Sequence, residues 1–188
     1  EILKLFDLYV HGDLDRRGFL ERASKFAVGG ATAAGLLAAL SPNFAYAQKV
    51  APTDPRIKTE SVEFASPAGN GKVRALVARP AQATGPLPVV LVVHENRGLN
   101  PHIADVARRT AAAGFLALAP DALYPLGGYP GTDDEGRTMQ ATRNGAEMLE
   151  DFIEAVKLMQ IHPDSNGKVG IVGFCFGGVV ALEMARQL

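Results

Sequence analysis

Three short runs in this chain are apolar almost from end to end: LPVVLVVH at 87–94, FLALAP at 115–120 and GKVGIVGF at 167–174. A short apolar run without alternation is the pattern of a strand covered on both faces, and such a sheet needs helices to cover it. The intervals supply them. In PHIADVARRTAAAG (101–114) Ile103, Val106 and Ala107 share one helical face, as do Thr110 and Ala111, and Gly114 stands where a C-terminal cap belongs. Leu149, Phe152, Ile153, Val156 and Met159 recur at helical spacing within 138–160, a stripe suited to core packing. GGVVALEMARQL opens a further helix. Before all of these, TESVEFAS (59–66) and KVRALVARP (72–80) alternate apolar and polar residues on either side of PAGNG, which reads as an antiparallel hairpin. Strands alternating with helices of this length predict an α/β fold, a mostly parallel sheet with helices on both faces.

Length and composition narrow the function. The chain has 188 residues, 47% of them apolar, enough for one domain with a sizeable core. Lysine and arginine (19) nearly balance aspartate and glutamate (20), so no basic surplus points to nucleic acid and no acidic surplus to a disordered tail. A single cysteine excludes an intrachain disulfide and a Cys-rich metal site.

Residues 1–47 read as a separate piece, either an export signal or a helical extension. Arg16-Arg17 is followed by Gly18, Phe19 and Leu20, which resembles the twin-arginine consensus. No charged residue appears between Lys25 and Lys49, and Ala45-Tyr46-Ala47 matches a small-x-small cleavage site with Gln48 as the new N-terminus. The apolar run at 26–40 is shorter than the ~20 residues a membrane span needs, so no stable membrane anchor is expected. Asp7, Asp13, Asp15 and Glu21 make the leading segment less positive than most signals. The expected localisation is periplasmic or exported, and otherwise cytoplasmic. Residues 48–58, with two prolines, read as a linker, and 59–188 as the N-terminal portion of an α/β domain.

The lone cysteine lies in Gly173-Phe174-Cys175-Phe176-Gly177, a G-x-C-x-G pattern between a buried strand and a helix. That is the context of the nucleophile elbow, where the reacting side chain sits on a sharp, strained turn. Small residues at Gly173 and Gly177 let strand and helix pass closely, the Phe176 N–H turns toward the reaction centre, and the helix N-terminus favours a thiolate and a developing oxyanion. Against this stand a buried structural cysteine and a dinucleotide loop; GFCFGG does not fit the latter's G-x-G-x-x-G. A thiol redox protein would need a C-x-x-C motif or a resolving cysteine, and neither is in the chain.

VVHENRGLN, ALAPDALY, the GGYPG region and KVGIVGFCFGG occur in this order over residues 55–188. Together they resemble the dienelactone hydrolase (carboxymethylenebutenolidase) family of α/β-hydrolases. The resemblance implies an α/β-hydrolase fold and hydrolysis of a small-molecule ester or lactone through an acyl-cysteine intermediate, without metal or organic cofactor. Cys175 matches the nucleophile, Glu95 the glutamate that helps deprotonate the thiol, and the backbone N–H groups of Asn96 and Phe176 the oxyanion-hole donors.

Other polar residues of these loops read blandly. Arg97 is expected in solvent, and Asp133, Asp134 and Glu135 in a solvated loop. His94, Glu95 and His102 do not form H-E-x-x-H, so no zinc site is expected. His162 falls in a helix-to-strand loop, expected at the end of the sheet opposite Cys175. The hydrolase triad runs nucleophile, acid, histidine along the chain, yet no Asp and no His follows Cys175 here. The expectation is therefore a chain truncated after the elbow, with the C-terminal strands missing. Its strand at 168–173 would show an open apolar edge, and its hydrolysis would be poor unless a separate C-terminal polypeptide complements it. The rival reading is a non-catalytic remnant or subunit.

Overall fold

The computed structural model describes residues 1–41 and 48–188; Pro42, Asn43 and the cleavage-like Ala45-Tyr46-Ala47 lie outside the described residues. The chain divides into two compact units, Glu1–Ala47 and Gln48–Leu188.

The first unit is helical: α1 (Ile2–His11), α2 (Arg16–Ala23) and α3 (Ala33–Leu40). Gly12 ends α1 in the left-handed conformation, Asp15 caps α2 by accepting the Gly18 N–H at 2.7 Å, and Thr32 caps α3 through Gly35 N–H at 3.0 Å. Phe19 is fully buried, its ring 5.4 Å from that of Tyr9 and 6.3 Å from that of Phe6. The run at 26–40 is not one helix, because Gly29 and Gly30 both take positive φ and break it. Among the described residues no helix is long and apolar enough to cross a membrane.

The second unit is a three-layer α/β structure. Its strands are β1 (Ile57–Ser66), β2 (Gly71–Pro80), β3 (Leu87–Val93), β4 (Leu116–Pro120) and β5 (Ser165–Gly173). They lie in the order β1-β2-β4-β3-β5. The parallel part is β4-β3-β5, and the β1–β2 hairpin extends it antiparallel to β4, so the open sheet is mixed. The helices are α4 (Pro101–Ala112), α5 (Asp133–Ala141), α6 (Gly145–Ile161) and α7 (Phe176–Gln187).

The apolar runs are explained by the two-residue period of the strand. Val89, Leu91 and Val93 face one layer with Leu116 and Leu118, against Phe152, Val156 and Met159 of α6 and Val180 and Met184 of α7. Val92, Ala117 and Ala119 face the other, against Ile103, Ala107 and Ala111 of α4. The small residues fall on the second face, where α4 packs with alanines of its own. β5 differs from β3 and β4: Val169, Ile171 and Val172 are only half-buried, because β3 pairs with one side of β5 and the other side is open among the described residues. Val179 and Leu182 of α7 are each 67% exposed, leaving that helix an apolar face without cover among the described residues.

Three stretches differ from the sequence reading. Asp133, Asp134 and Glu135 are not a loop but the first turn of α5, capped by Thr132; three carboxylates there complement the helix dipole. The apolar stripe belongs to α6 alone, since the Asn144 side chain accepts the Ala146 N–H at 2.9 Å and starts a new helix after α5. Within the stretch read as linker, Lys49 and Val50 donate their N–H groups to Asp105 Oδ1 at 3.0 and 2.9 Å, and Arg108 Nε donates to the Val50 carbonyl at 2.7 Å. Val50 is buried by that clip, and Ile57 already opens β1.

Candidate active site

Because β3, β4 and β5 are parallel, the loops that follow them open at one edge of the sheet. The chain leaves β3 for α4 on one face and β5 for α7 on the other. In open α/β sheets ligands bind beyond the strand ends where neighbouring connections diverge in this way.

Strand β5 enters α7 through a turn with no room for a side chain at either glycine. A Cβ on Gly173 would stand 1.9 Å from the Gly177 carbonyl oxygen, and one on Gly177 2.5 Å from Val93 O and 2.7 Å from His94 O. Between them Cys175 holds φ 53° and ψ −116°, the only positive φ outside glycine among the described residues. A non-glycine residue there carries on the order of 1–3 kcal/mol of strain. The turn is fixed by Gly177 N–H to Phe174 O and Gly178 N–H to Cys175 O, each 2.9 Å. The thiol is exposed.

The loop after β3 lies against this turn through the His94 carbonyl. Glu95 is about a quarter exposed, its Oε2 3.8 Å from Arg97 Nη1. Arg97 is not in solvent. Its side chain is 12% exposed and its Nη1 also donates to Asp133 Oδ2 at 3.3 Å. Asp133 Oδ1 in turn accepts from Tyr129 Oη at 2.9 Å and from Asn100 Nδ2 at 3.3 Å. The N-terminus of α5 thus anchors the loop electrostatically, and Gly98 N–H adds a buried bond to Gln140 Oε1 at 3.0 Å. Burial, then the Asp133 carboxylate, push the Tyr129 phenol well above its ordinary range, so it stays a donor. Asn96 Oδ1 is buried without a hydrogen-bond partner. Among the described residues, neither the Asn96 nor the Phe176 backbone N–H donates to another protein group.

One residue of the site was passed over in the sequence. His94 is fully buried directly behind the elbow. Its ring stacks on Phe176 at 6.2 Å and meets Phe152 edge-on at 5.7 Å. Nε2 accepts the Ala122 N–H at 3.2 Å, and Nδ1 lies 2.6 Å from the Glu95 carbonyl oxygen. Burial pushes the imidazole below its ordinary value, opposed by the Glu95 carbonyl and by the charges of Asp121 and Glu95. The usable signal was its place at the end of an apolar strand, directly before the polar run Glu95-Asn96-Arg97. His162 lies before β5, at the other end of the sheet from Cys175, with Nδ1 accepting the Asp164 N–H at 3.1 Å. No group of three or more His, Cys, Asp or Glu among the described residues is placed to hold a metal ion.

A mixed sheet sandwiched by helices, with a strained residue between strand and helix at the sheet's C-terminal edge, defines an α/β-hydrolase-type protein. The sequence profile of the dienelactone hydrolase family matches residues 73–188, and the chain belongs to that family. A second profile, YqhI-like, matches residues 1–28. YghX of Escherichia coli K12, described as a hydrolase fragment, is 55% identical over 109 residues, covering 58% of this chain and 93% of YghX. A Synechocystis protein named as a carboxymethylenebutenolidase is 36% identical over 130 residues, covering 65% of this chain and 51% of its own length. The crystal structure of a Klebsiella pneumoniae protein titled as a dienelactone hydrolase superposes with a TM-score of 0.56 at 30% identity, over 70% of this chain and 56% of that one. The chain thus spans about half the length of these last two relatives.

Proposed function

We propose that this chain carries the nucleophile half of an ester or lactone hydrolase that works through an acyl-cysteine. The observation that carries this is the exposed Cys175 thiol on a strained turn, next to a loop whose Asn96 N–H, like that of Phe176, has no protein acceptor among the described residues. In the proposed reaction Glu95 takes the thiol proton and Cys175 Sγ attacks the acyl carbon. The carbonyl oxygen becomes an oxyanion held by the Asn96 and Phe176 N–H groups. Collapse breaks the C–O bond, and the leaving oxygen takes the proton back from Glu95; an ester's alcohol departs, while a lactone's hydroxyl stays on the acyl chain. Water then cleaves the thioester, releasing the acid and restoring the thiol. Kinship to a carboxymethylenebutenolidase-named relative favours a small lactone or ester as substrate.

The step least provided for is deacylation, because no Asp or His follows Cys175 in the sequence. We infer that the acid and histidine of the triad come from polypeptide C-terminal to this segment, in the same molecule or as a separate chain. The uncovered side of β5 and the exposed Val179 and Leu182 favour such a partner. Supplied with p-nitrophenyl acetate or dihydrocoumarin, this chain is expected to gain one acyl group on Cys175 and to turn over slowly. Added C-terminal polypeptide should raise turnover. No acyl group on Cys175, or equal acylation of Cys175→Ala, would sink the hydrolase reading and leave a non-catalytic subunit.

We propose in addition that residues 1–47 direct export, on the Arg16-Arg17-x-Phe19-Leu20 pattern. An intact mass beginning at Gln48 in the exported protein is the expected result. A cytoplasmic protein that keeps residues 1–47 would overturn it and leave the helical unit as a permanent extension.

A further inference from the structure

We propose that His94 is a positioning residue for the oxyanion hole, aiming the Asn96 N–H by clamping the other end of the same peptide group. This rests on the hydrolase reading above and adds a role to a residue that reading does not use.

The Glu95–Asn96 peptide is planar and trans, so its carbonyl and its N–H point in opposite directions. The carbonyl end is held by His94, whose Nδ1 lies 2.6 Å from Glu95 O. Which atom donates follows from the other nitrogen. Nε2 accepts the N–H of Ala122, so it carries no proton, and a neutral ring must then carry its proton on Nδ1. The ring is fully buried, which keeps it neutral. His94 therefore donates to Glu95 O, and the Asn96 N–H on the far side of the plane is turned away from the buried ring, toward the open side. A carbonyl that accepts a strong bond also polarises its own N–H and makes it the better donor.

The second proposed donor is bound to the same ring. Phe176, whose backbone N–H stands beside Cys175, stacks on the imidazole at 6.2 Å with planes 22° apart. The His94 carbonyl meanwhile lies against Gly177, where no Cβ fits. One imidazole thus touches the loop after β3, the loop after β4 and the first turn of α7. Packing alone would explain the contacts with Phe152 and Phe176, and phenylalanine would serve it. It does not explain two hydrogen bonds that together fix the tautomer and the plane of the peptide bearing Asn96.

The test compares three variants of the full chain. In His94→Asn the amide nitrogen can take the place of Nδ1 and keep the bond to Glu95 O. His94→Gln can keep only the bond from Ala122, and His94→Phe keeps only the ring. Two rates are measured: acylation of Cys175 by p-nitrophenyl acetate, which needs the oxyanion hole, and alkylation by iodoacetamide, which does not. Expected is alkylation within about twofold throughout, with acylation down by about tenfold to a hundredfold in His94→Gln and His94→Phe and largely kept in His94→Asn. Equal acylation by His94→Asn and His94→Gln, each relative to its alkylation, would overturn the proposal.

If the wild-type chain acylates nowhere, the hydrolase reading fails and His94 is judged by NMR alone. A proton on Nδ1, with an Asn96 N–H residual dipolar coupling kept in His94→Asn and changed in His94→Gln, supports the clamp. A proton on Nε2, or a coupling indifferent to the substitution, refutes it.

Discussion

Acid should weaken this fold through one side chain. His94 has its imidazole below the ordinary value of 6.5, because burial disfavours the charged ring more than the Glu95 carbonyl and the Asp121 and Glu95 charges favour it. A group with a lowered folded value binds protons more readily when the chain is unfolded. Stability is therefore full above about pH 6.5 and falls as the pH drops through it. If the ring stays neutral in the fold, the loss approaches about 1.4 kcal/mol per pH unit below 6.5, and amounts to about 2 kcal/mol between pH 7 and pH 5. Carboxylates titrate over the same range, so the measurement is a difference. Urea unfolding of the wild type and of His94→Asn is followed by circular dichroism from pH 7.5 to 5. The wild-type advantage should shrink toward low pH, by up to about 2 kcal/mol over that span. An advantage that does not change with pH would mean that the ring protonates freely in the folded protein, and the neutral, donor-acceptor assignment of its two nitrogens would fall with it.

Three further outcomes follow from particular contacts. Gly173→Ala drives a Cβ to 1.9 Å from a backbone oxygen that cannot swing aside, and should cost about 3 kcal/mol or prevent folding, read as a lowered urea midpoint. Phe19→Ala removes the centre of the Phe6–Tyr9–Phe19 cluster, a loss of about 3–5 kcal/mol that a three-helix unit of this size should not survive. Limited proteolysis should then cut within residues 1–41 and spare Gln48–Leu188. Asp105→Ala strips the acceptor from Lys49 and Val50 N–H, and hydrogen exchange of those two amides should accelerate while that of β3 stays slow.

The strands and helices of the second unit were legible because their signals are local. A strand covered on both faces must be largely apolar, and Leu87–Val93 and Leu116–Pro120 declared themselves in that way, while the hairpin showed itself by alternation around PAGNG. The elbow was legible for a related reason: two backbones that cross within van der Waals contact admit only glycine, and Gly173 and Gly177 stand in the sequence as a pattern. What stayed hidden depends on residues distant in the chain. Arg97 read as solvent-exposed because its partner, Asp133, lies 36 positions on, at a helix start that the Thr132 side chain caps. His94 read as unremarkable because its value comes from Ala122, Phe152 and Phe176, which belong to three other elements. The hold of Asp105 on Val50 was invisible for the same reason, and a proline-marked stretch was read as linker although its first residues are tied down.

Strain at Cys175 needs support from both sides, and the structure provides it unevenly. On the β3 side the support is dense: Val93 pairs with Gly173, the His94 carbonyl meets Gly177, and the imidazole bears on Phe176. On the other side β5 has no neighbour among the described residues, and α7 shows Val179 and Leu182 to solvent. A strained backbone persists only while its surroundings over-determine it. The turn at Cys175 is therefore held from beneath and from one flank, and its geometry should tighten when the open edge is covered. That coupling predicts an order of events for the proposed complementation. A polypeptide docking on β5 and α7 should first quiet the amide exchange of Phe174, Cys175 and Phe176, and raise acylation of Cys175, before it contributes any group to deacylation. Adding C-terminal polypeptide whose triad histidine is replaced by alanine separates the two effects. Faster acylation with no gain in deacylation is the expected result, and acylation unchanged by docking would show that the β3 side alone sets the elbow.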